Sequence, residues 1–331
     1  MSAVHSNISI FVPHIGCPNK CSFCNQRYIT GVCKAPRAKD VTDAVEIAKS
    51  SPKYNPETTE IAFFGGSFTA INRNYMTDLL DTAYEFVKNG DVKGIRVSTR
   101  PDAVDDEILG ILKQRGVTAI ELGAQSLVSR VLKMNNRGHT AQDVVNASKL
   151  IREHGFELGL QMMTGLYCDS DEGAIKTAKK VIEIKPDTVR IYPTIVLKDT
   201  DLGALYDDNR YKPQTLGEAV ELASKLYEMF TEAGIRVIRL GLHSIEEKAY
   251  LAGPWHPAFS ELCQSQIMLN KALKLLNEKG RYIIYVGKSD VSKMIGQKRS
   301  NILHLESQGF YCKVKQKDGL DNLTIQIERE V

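Results

Sequence analysis

The chain has 331 residues, 43% of them hydrophobic and 25% charged, with a formal net charge of +3 at neutral pH. That length suits one large domain with a smaller one attached, and the composition excludes a disordered or fibrous chain. No stretch approaches the roughly 20 apolar residues of a membrane helix, so no membrane association and a cytoplasmic location are expected.

The seven cysteines are few and odd in number, and no leader-peptide pattern opens the chain, which argues against a disulfide framework. Charge is unevenly spread. Between Lys271 and Lys317, eleven Lys or Arg face three acids (Glu278, Asp290, Glu306), a local +8 that leaves −5 on the rest. Such a basic segment fits an anionic partner, RNA among them, or an ordinary solvated surface.

In chain order, β-rich runs at 8–12, 60–64, 94–98, 118–122, 157–162 and 188–192 alternate with amphipathic stretches, among them 75–88, 105–115, 141–154 and 171–185. Strands separated by helices imply right-handed crossovers and a parallel sheet. The expected fold is therefore α/β, a partial (β/α)6 barrel, with a seventh short strand at 235–238 after a helix at 216–233. Beyond the break Gly253-Pro254-Trp255-His256-Pro257 the pattern changes. A helix at 259–279, a strand at 282–286, a short helix from Val291, a turn at Gly296, a helix at 301–307 and strands at 310–314 and 323–327 predict a small α+β domain. The expected division is 1–240 and 241–331.

The most informative local feature is Gly16-Cys17-Pro18-Asn19-Lys20-Cys21-Ser22-Phe23-Cys24-Asn25, a C-x3-C-x2-C spacing on the loop after the first strand. Three thiolates there can hold three irons of a [4Fe–4S] cube and leave the fourth open to S-adenosylmethionine. One electron from an external donor then breaks a sulfonium C–S bond and releases a 5′-deoxyadenosyl radical. A structural zinc site completed by Cys33 is the rival reading, although zinc ribbons usually pair two C-x2-C knuckles. Cys33, Cys168, Cys263 and Cys312 read as small buried apolar residues. This spacing resembles that of the radical S-adenosylmethionine (radical SAM) superfamily.

Loops at the carboxyl ends of parallel strands carry the chemistry of such sheets, so residues there are the candidates. Phe63-Phe64-Gly65-Gly66-Ser67-Phe68 closes the second strand; adjacent glycines let backbone approach a ligand closely. The resemblance implies that Gly65 and Gly66, with Ser67, receive the methionyl amino group and that Phe23 lies near the adenine. Arg100, ending the third strand, can pair with a carboxylate or phosphate, and Asp102 can cap the next helix. Gln125 after the fourth strand suits ribose or the methionyl carboxylate, and Arg137 can neutralise that carboxylate. His139 reads as a cap or packing residue. Gln161 at the end of the fifth strand faces the same mouth or makes a buried structural hydrogen bond. Tyr192, ending the sixth strand, is the candidate for substrate contact or hydrogen return.

Arg190-Ile191-Tyr192-Pro193-Thr194, Thr99-Arg100-Pro101-Asp102, Glu121-Leu122-Gly123-Ala124-Gln125-Ser126 and Asn136-Arg137-Gly138-His139-Thr140 narrow the resemblance to the catalytic subunit of the Elongator complex. That family implies action on the wobble uridine of tRNA. Its cysteines are spaced more widely, and about ninety residues after Arg239 are too few for its acetyltransferase domain, so an Elongator-like radical SAM protein without acetyl transfer is expected. Residues 99–102 also resemble oxygen-independent coproporphyrinogen III oxidases, which implies radical oxidation of a small anionic metabolite as an alternative. A cluster-bearing RNA-binding protein without turnover is a third. Met294-Ile295-Gly296-Gln297-Lys298-Arg299-Ser300-Asn301-Ile302 resembles the helix–GxxG–helix core of a KH domain, with Arg299 at the second glycine position. A lid packed on the barrel is the other reading of this element.

Overall fold

The computed structural model describes residues 5–12, 16–17, 20–31, 34–242 and 245–330. Seven strands pair in parallel in the order β1-β2-β3-β4-β5-β6-β8. They are β1 (Ser6–Val12), β2 (Thr59–Gly65), β3 (Gly94–Thr99), β4 (Val117–Gln125), β5 (Glu157–Thr164), β6 (Thr188–Pro193) and β8 (Arg236–Leu240). Neighbouring strands are consecutive except at β8, so the sheet curls as an open half-barrel with β1 and β8 at its edges. The predicted α/β fold is present, with the seventh strand joining the same sheet.

The crossover helices are α1 (Gln26–Thr30), α2 (Ala38–Lys49), α3 (Arg73–Lys88), α4 (Asp106–Gln114), α5 (Ser129–Met134), α6 (Ala141–Glu153), α7 (Asp171–Ile184), α8 (Asp201–Asp207) and α9 (Leu216–Glu232). Their starts follow from local chemistry. Side chains of Asn72, Asp105, Thr140, Ser170, Thr200 and Thr215 accept the free backbone N–H groups of α3, α4, α6, α7, α8 and α9. Each such cap contributes about 1 kcal/mol. Asp105, not the expected Asp102, caps α4, because Pro101–Ala103 first closes a separate 3-10 turn. The apolar faces of these helices meet the outer sheet face in one core that includes Phe63, Leu79, Leu80, Leu109, Ile120 and Leu122.

Two short strands were not predicted: β7 (Val196–Leu197) pairs antiparallel with β9 (Tyr250–Ala252). At two and three residues, neither is long enough to show a period of two.

Helix α10 (Phe259–Leu275) joins two cores. Phe259 and Cys263 belong to the barrel core. Ile267, Met268 and Ala272 belong to a second, with Tyr282, Ile284, Val286, Met294, Leu305 and Ile325. The second core lies under a three-stranded sheet in which β10 (Gly280–Val286) pairs parallel with β11 (Phe310–Gln316) and antiparallel with β12 (Ile325–Arg329). α11 (Val291–Ile295) and α12 (Ser300–Ser307) connect β10 to β11. In the turn between them Lys298 and Arg299 both take left-handed backbone, φ 52° and 64°. Arg299 thus adopts the conformation a glycine would favour at that position, at a steric cost of about 1–2 kcal/mol.

Candidate active site

The cysteine loop leaves β1 at the carboxyl edge of the sheet. Its Ser22 N–H donates to the Asn135 carbonyl, the Ser22 hydroxyl donates to Asn135 Oδ1 at 2.8 Å, and the Leu202 N–H donates to the Ser22 carbonyl at 2.7 Å. The loop is therefore pinned between the segment after α5 and the start of α8. Cys17, Cys21 and Cys24 are unpaired and half-buried or better. Burial pushes the Cys24 thiol up to about 12, with Cys21 and Cys17 adding to the rise. Burial also raises Cys17, against the Ser67 backbone N–H that donates to it. These mutual effects put the three sulfurs in one neighbourhood. Among the described residues no three His, Cys, Asp or Glu converge as ligands of one ion; thiolates of a cube bind three different irons and need not converge on a point. Cys33, the fourth ligand of the zinc reading, lies outside the described residues.

Gly65 has φ 112°, and a Cβ on it would stand 2.8 Å from the Val12 carbonyl oxygen. That oxygen accepts from the Gly66 N–H at 2.8 Å, and the Gly65 carbonyl accepts from Gln26 Nε2. Gly65 therefore lies against β1 with no room for a side chain. Ser67 ties it to β3: its hydroxyl pairs with Thr99 Oγ1 at 2.8 Å and accepts from the Arg100 N–H at 3.2 Å. Gly65→Ala is expected to weaken S-adenosylmethionine binding at least ~10-fold, a loss of about 1.4 kcal/mol, and to lower the melting temperature, since a strained backbone costs about 1–3 kcal/mol. Equilibrium dialysis and a thermal melt check both.

Other predicted residues reach the same mouth with altered partners. Arg100 is buried, but its guanidinium holds Asp102 through two bonds of 2.8 and 2.7 Å. This is the role of Asp102 in place of capping. Arg137 donates from Nη1 to Cys21 Sγ at 3.0 Å and from Nη2 to the Gly123 carbonyl at 2.5 Å. Gln125 stands at φ 61°, where β4 bulges against β5. Its Oε1 is buried without a hydrogen-bond partner, as is Arg137 Nε. His139 packs as expected. Its Nε2 lies 3.3 Å from the Ala124 carbonyl, and burial, then Arg137, lowers its pKa to about 4. Thr140 caps α6 instead.

Gln161 lies inside the half-barrel, where its amide donates to Glu121 Oε2 at 3.0 Å and reaches Ser98 Oγ at 3.5 Å. It makes the structural hydrogen bond. Phe23 and Tyr192 pack around Val131, Met163 and Leu166. Tyr192 is raised by burial and faces Arg190 and Arg239.

Sequence reasoning missed the polar interior beneath this mouth. Glu121, 1% exposed, takes Arg190 through bonds of 2.6 and 2.8 Å. Arg96 donates to Glu60 at 3.0 Å and Glu157 at 3.1 Å and lies 3.4 Å from Glu121. His5 pairs with Glu60 at 2.7 Å. The available signal was charge at inward positions of strands that otherwise read as apolar. The pattern also has a physical use: ion pairs fill the interior beneath the mouth and restrict the rotamers of residues above them.

The chain is similar to known proteins along most of its length. The profile of the Radical SAM superfamily matches residues 11–181. The chain belongs to the radical SAM superfamily. A profile of the Radical_SAM C-terminal domain matches residues 186–268 as well. Radical SAM enzymes use a [4Fe–4S] cluster and S-adenosylmethionine. The tRNA uridine(34) acetyltransferase of Methanocaldococcus jannaschii is 26% identical over 185 residues, 50% of this chain and 34% of that one. Human Elongator complex protein 3 is 29% identical over 193 residues, 52% of this chain and 35% of that one. This radical SAM chain thus spans about a third of the length of these two relatives. The structure of an N-terminally truncated Elp3 from Methanocaldococcus infernus superimposes with a TM-score of 0.68 at 21% identity, over 82% of this chain and 64% of that one. That likeness bears out the half-barrel and the Elongator resemblance of its fold. No helix among the described residues is long and apolar enough to cross a membrane.

The site's own chemistry fits the superfamily's cofactors. Three thiols share one neighbourhood, and beside them lie an unpartnered buried amide oxygen and a guanidinium N–H, on Gln125 and Arg137. A polar ligand between these groups would satisfy both, and burying them without one costs ~1–3 kcal/mol each.

Proposed function

We propose that this chain is a radical SAM enzyme acting on a tRNA or other RNA substrate, with the cluster held by Cys17, Cys21 and Cys24. When bound, cluster and S-adenosylmethionine together supply a 5′-deoxyadenosyl radical. The chain's own residues bind and orient. The Gly65-Gly66 backbone carries the methionyl end, and Gln125 Oε1 accepts from the ribose or amino group. Arg137 bridges Cys21 and the Gly123 carbonyl, so it holds a thiolate in place and fixes the wall on which the cofactor lies. Phe23 and Tyr192 close the apolar side of the mouth and exclude water from it.

The observation that carries the reading is the placement of the three cysteines one strand from Gly65, where no side chain fits. The RNA half rests on similarity to tRNA-modifying relatives and on the basic segment 271–317. Residues 1–240 then form the catalytic half-barrel. Residues 241–331 form the RNA-binding appendage, its KH-like α11–turn–α12 element presenting Lys298 and Arg299. A cytoplasmic location belongs to this reading, because cluster thiolates need a reducing compartment.

Anaerobic reconstitution, reduction in the presence of S-adenosylmethionine and assay of 5′-deoxyadenosine with and without tRNA test the proposal. The expected result is 5′-deoxyadenosine formation that tRNA stimulates. tRNA affinity should fall at least ~1,000-fold between 50 and 200 mM salt if about six phosphates are contacted. Salt-independent or absent tRNA binding would remove the RNA half. Cofactor binding without 5′-deoxyadenosine would remove the enzymatic half.

A further inference from the structure

A cavity of about 650 Å³ opens beside Arg137. Its walls include Lys20, Leu132, Lys133, Asn136, Arg137 and His139, and no carboxylate lines it. Two acids stand on its rim: Asp143, which accepts from the Thr140 hydroxyl at 2.8 Å, and Asp201, which accepts from Asn136 Nδ2 at 3.3 Å. Lys20 and Lys133 are exposed, and the apolar Met134 beside them is 40% exposed. The floor of the cavity is Arg137, whose Nη1 lies 3.0 Å from Cys21 Sγ. None of Gly65, Gln125, Gln161 and Tyr192 lines it.

We infer that this basic cavity is the docking surface for the external electron donor, a small carrier protein with an acidic face around its redox group. The inference rests on the cluster assignment proposed above. One observation selects this partner over an RNA phosphate. A macromolecule seated here comes within one side chain of a cysteine of the loop. The donor gives up one electron, and no proton or bond is exchanged at the surface. Charges at such a rim act mainly on encounter and salt dependence.

The test is direct binding of an oxidised, acidic flavodoxin to the reconstituted holoprotein, read by flavin fluorescence at low salt, so that no turnover enters the measurement. Lys133→Glu and Lys20→Glu are each expected to raise the dissociation constant ~10-fold or more. Lys133→Arg should leave it within about twofold, and Lys179→Glu, an exposed reversal on α7, should not change it. An unchanged constant in Lys133→Glu overturns the inference. So does a variant that loses tRNA affinity while holding flavodoxin normally. Iron content measured on the same samples separates the two readings: absent iron refutes the cluster, whereas full iron with indifferent binding refutes only the docking surface.

Discussion

Alanine at Cys17, Cys21 or Cys24 is expected to reduce iron from about four per chain to near zero after anaerobic reconstitution, and to abolish 5′-deoxyadenosine formation. In the proposed cluster each thiolate would hold a separate iron, so removing one would leave a corner of the cube without protein support. Loss of an outer partner is milder. Arg137→Ala, which frees Cys21 Sγ from its 3.0 Å donor, should cost roughly 10–100-fold in cluster retention or activity. Cys263 is the control, because it is fully buried in the barrel core away from the loop. Its alanine variant should keep full iron. Equal iron loss in Cys263→Ala and Cys17→Ala, or stoichiometric zinc without iron in the unmodified protein, would remove the cluster assignment.

Glu121→Ala is expected to give the largest loss of stability, about 3–5 kcal/mol. The carboxylate accepts from Arg190 through two bonds and from Gln161, and it lies beside Arg96. Removing it leaves two buried guanidinium groups without their shared anion. Glu121→Gln keeps the shape and one acceptor oxygen and should fall between. Urea unfolding of the three proteins measures the order, and wild-type stability in Glu121→Ala would show that the interior is solvated.

The same network makes the fold acid-sensitive. Burial raises Glu60, but His5 and Arg96 outweigh it and bring its carboxyl down to about 2. A carboxyl lower in the folded state than the ordinary 4.5 contributes stability above that value. The contribution is lost as pH falls from about 4.5 towards 2. Glu60→Gln should therefore flatten the acid limb of a pH–stability curve.

The strand–helix alternation was legible because each element repeats its apolar residues at its own period. The barrel strands appear within a few residues of their expected bounds, and six helices begin at a polar side chain that caps them. β7 and β9 were not legible, since neither is long enough for a pattern. Residue type and strand-end position were enough to place Gly65 and Gln125 at the mouth. They were not enough for Asp102 or Gln161, whose partners Arg100 and Glu121 depend on which side chains the folded loops and strands bring within 3 Å.

By itself, then, the sequence determined the α/β class, the cysteine loop and its position after the first strand, and the superfamily. These are encoded locally, in spacing and in period. Only the tertiary structure decided what each polar side chain meets. It showed Arg137 against Cys21, Glu121 beneath the mouth and a basic cavity behind the loop. Hydrogen bonds and ion pairs act over about 3 Å between residues tens of positions apart. Such contacts exist only after the sheet has set its register and curled.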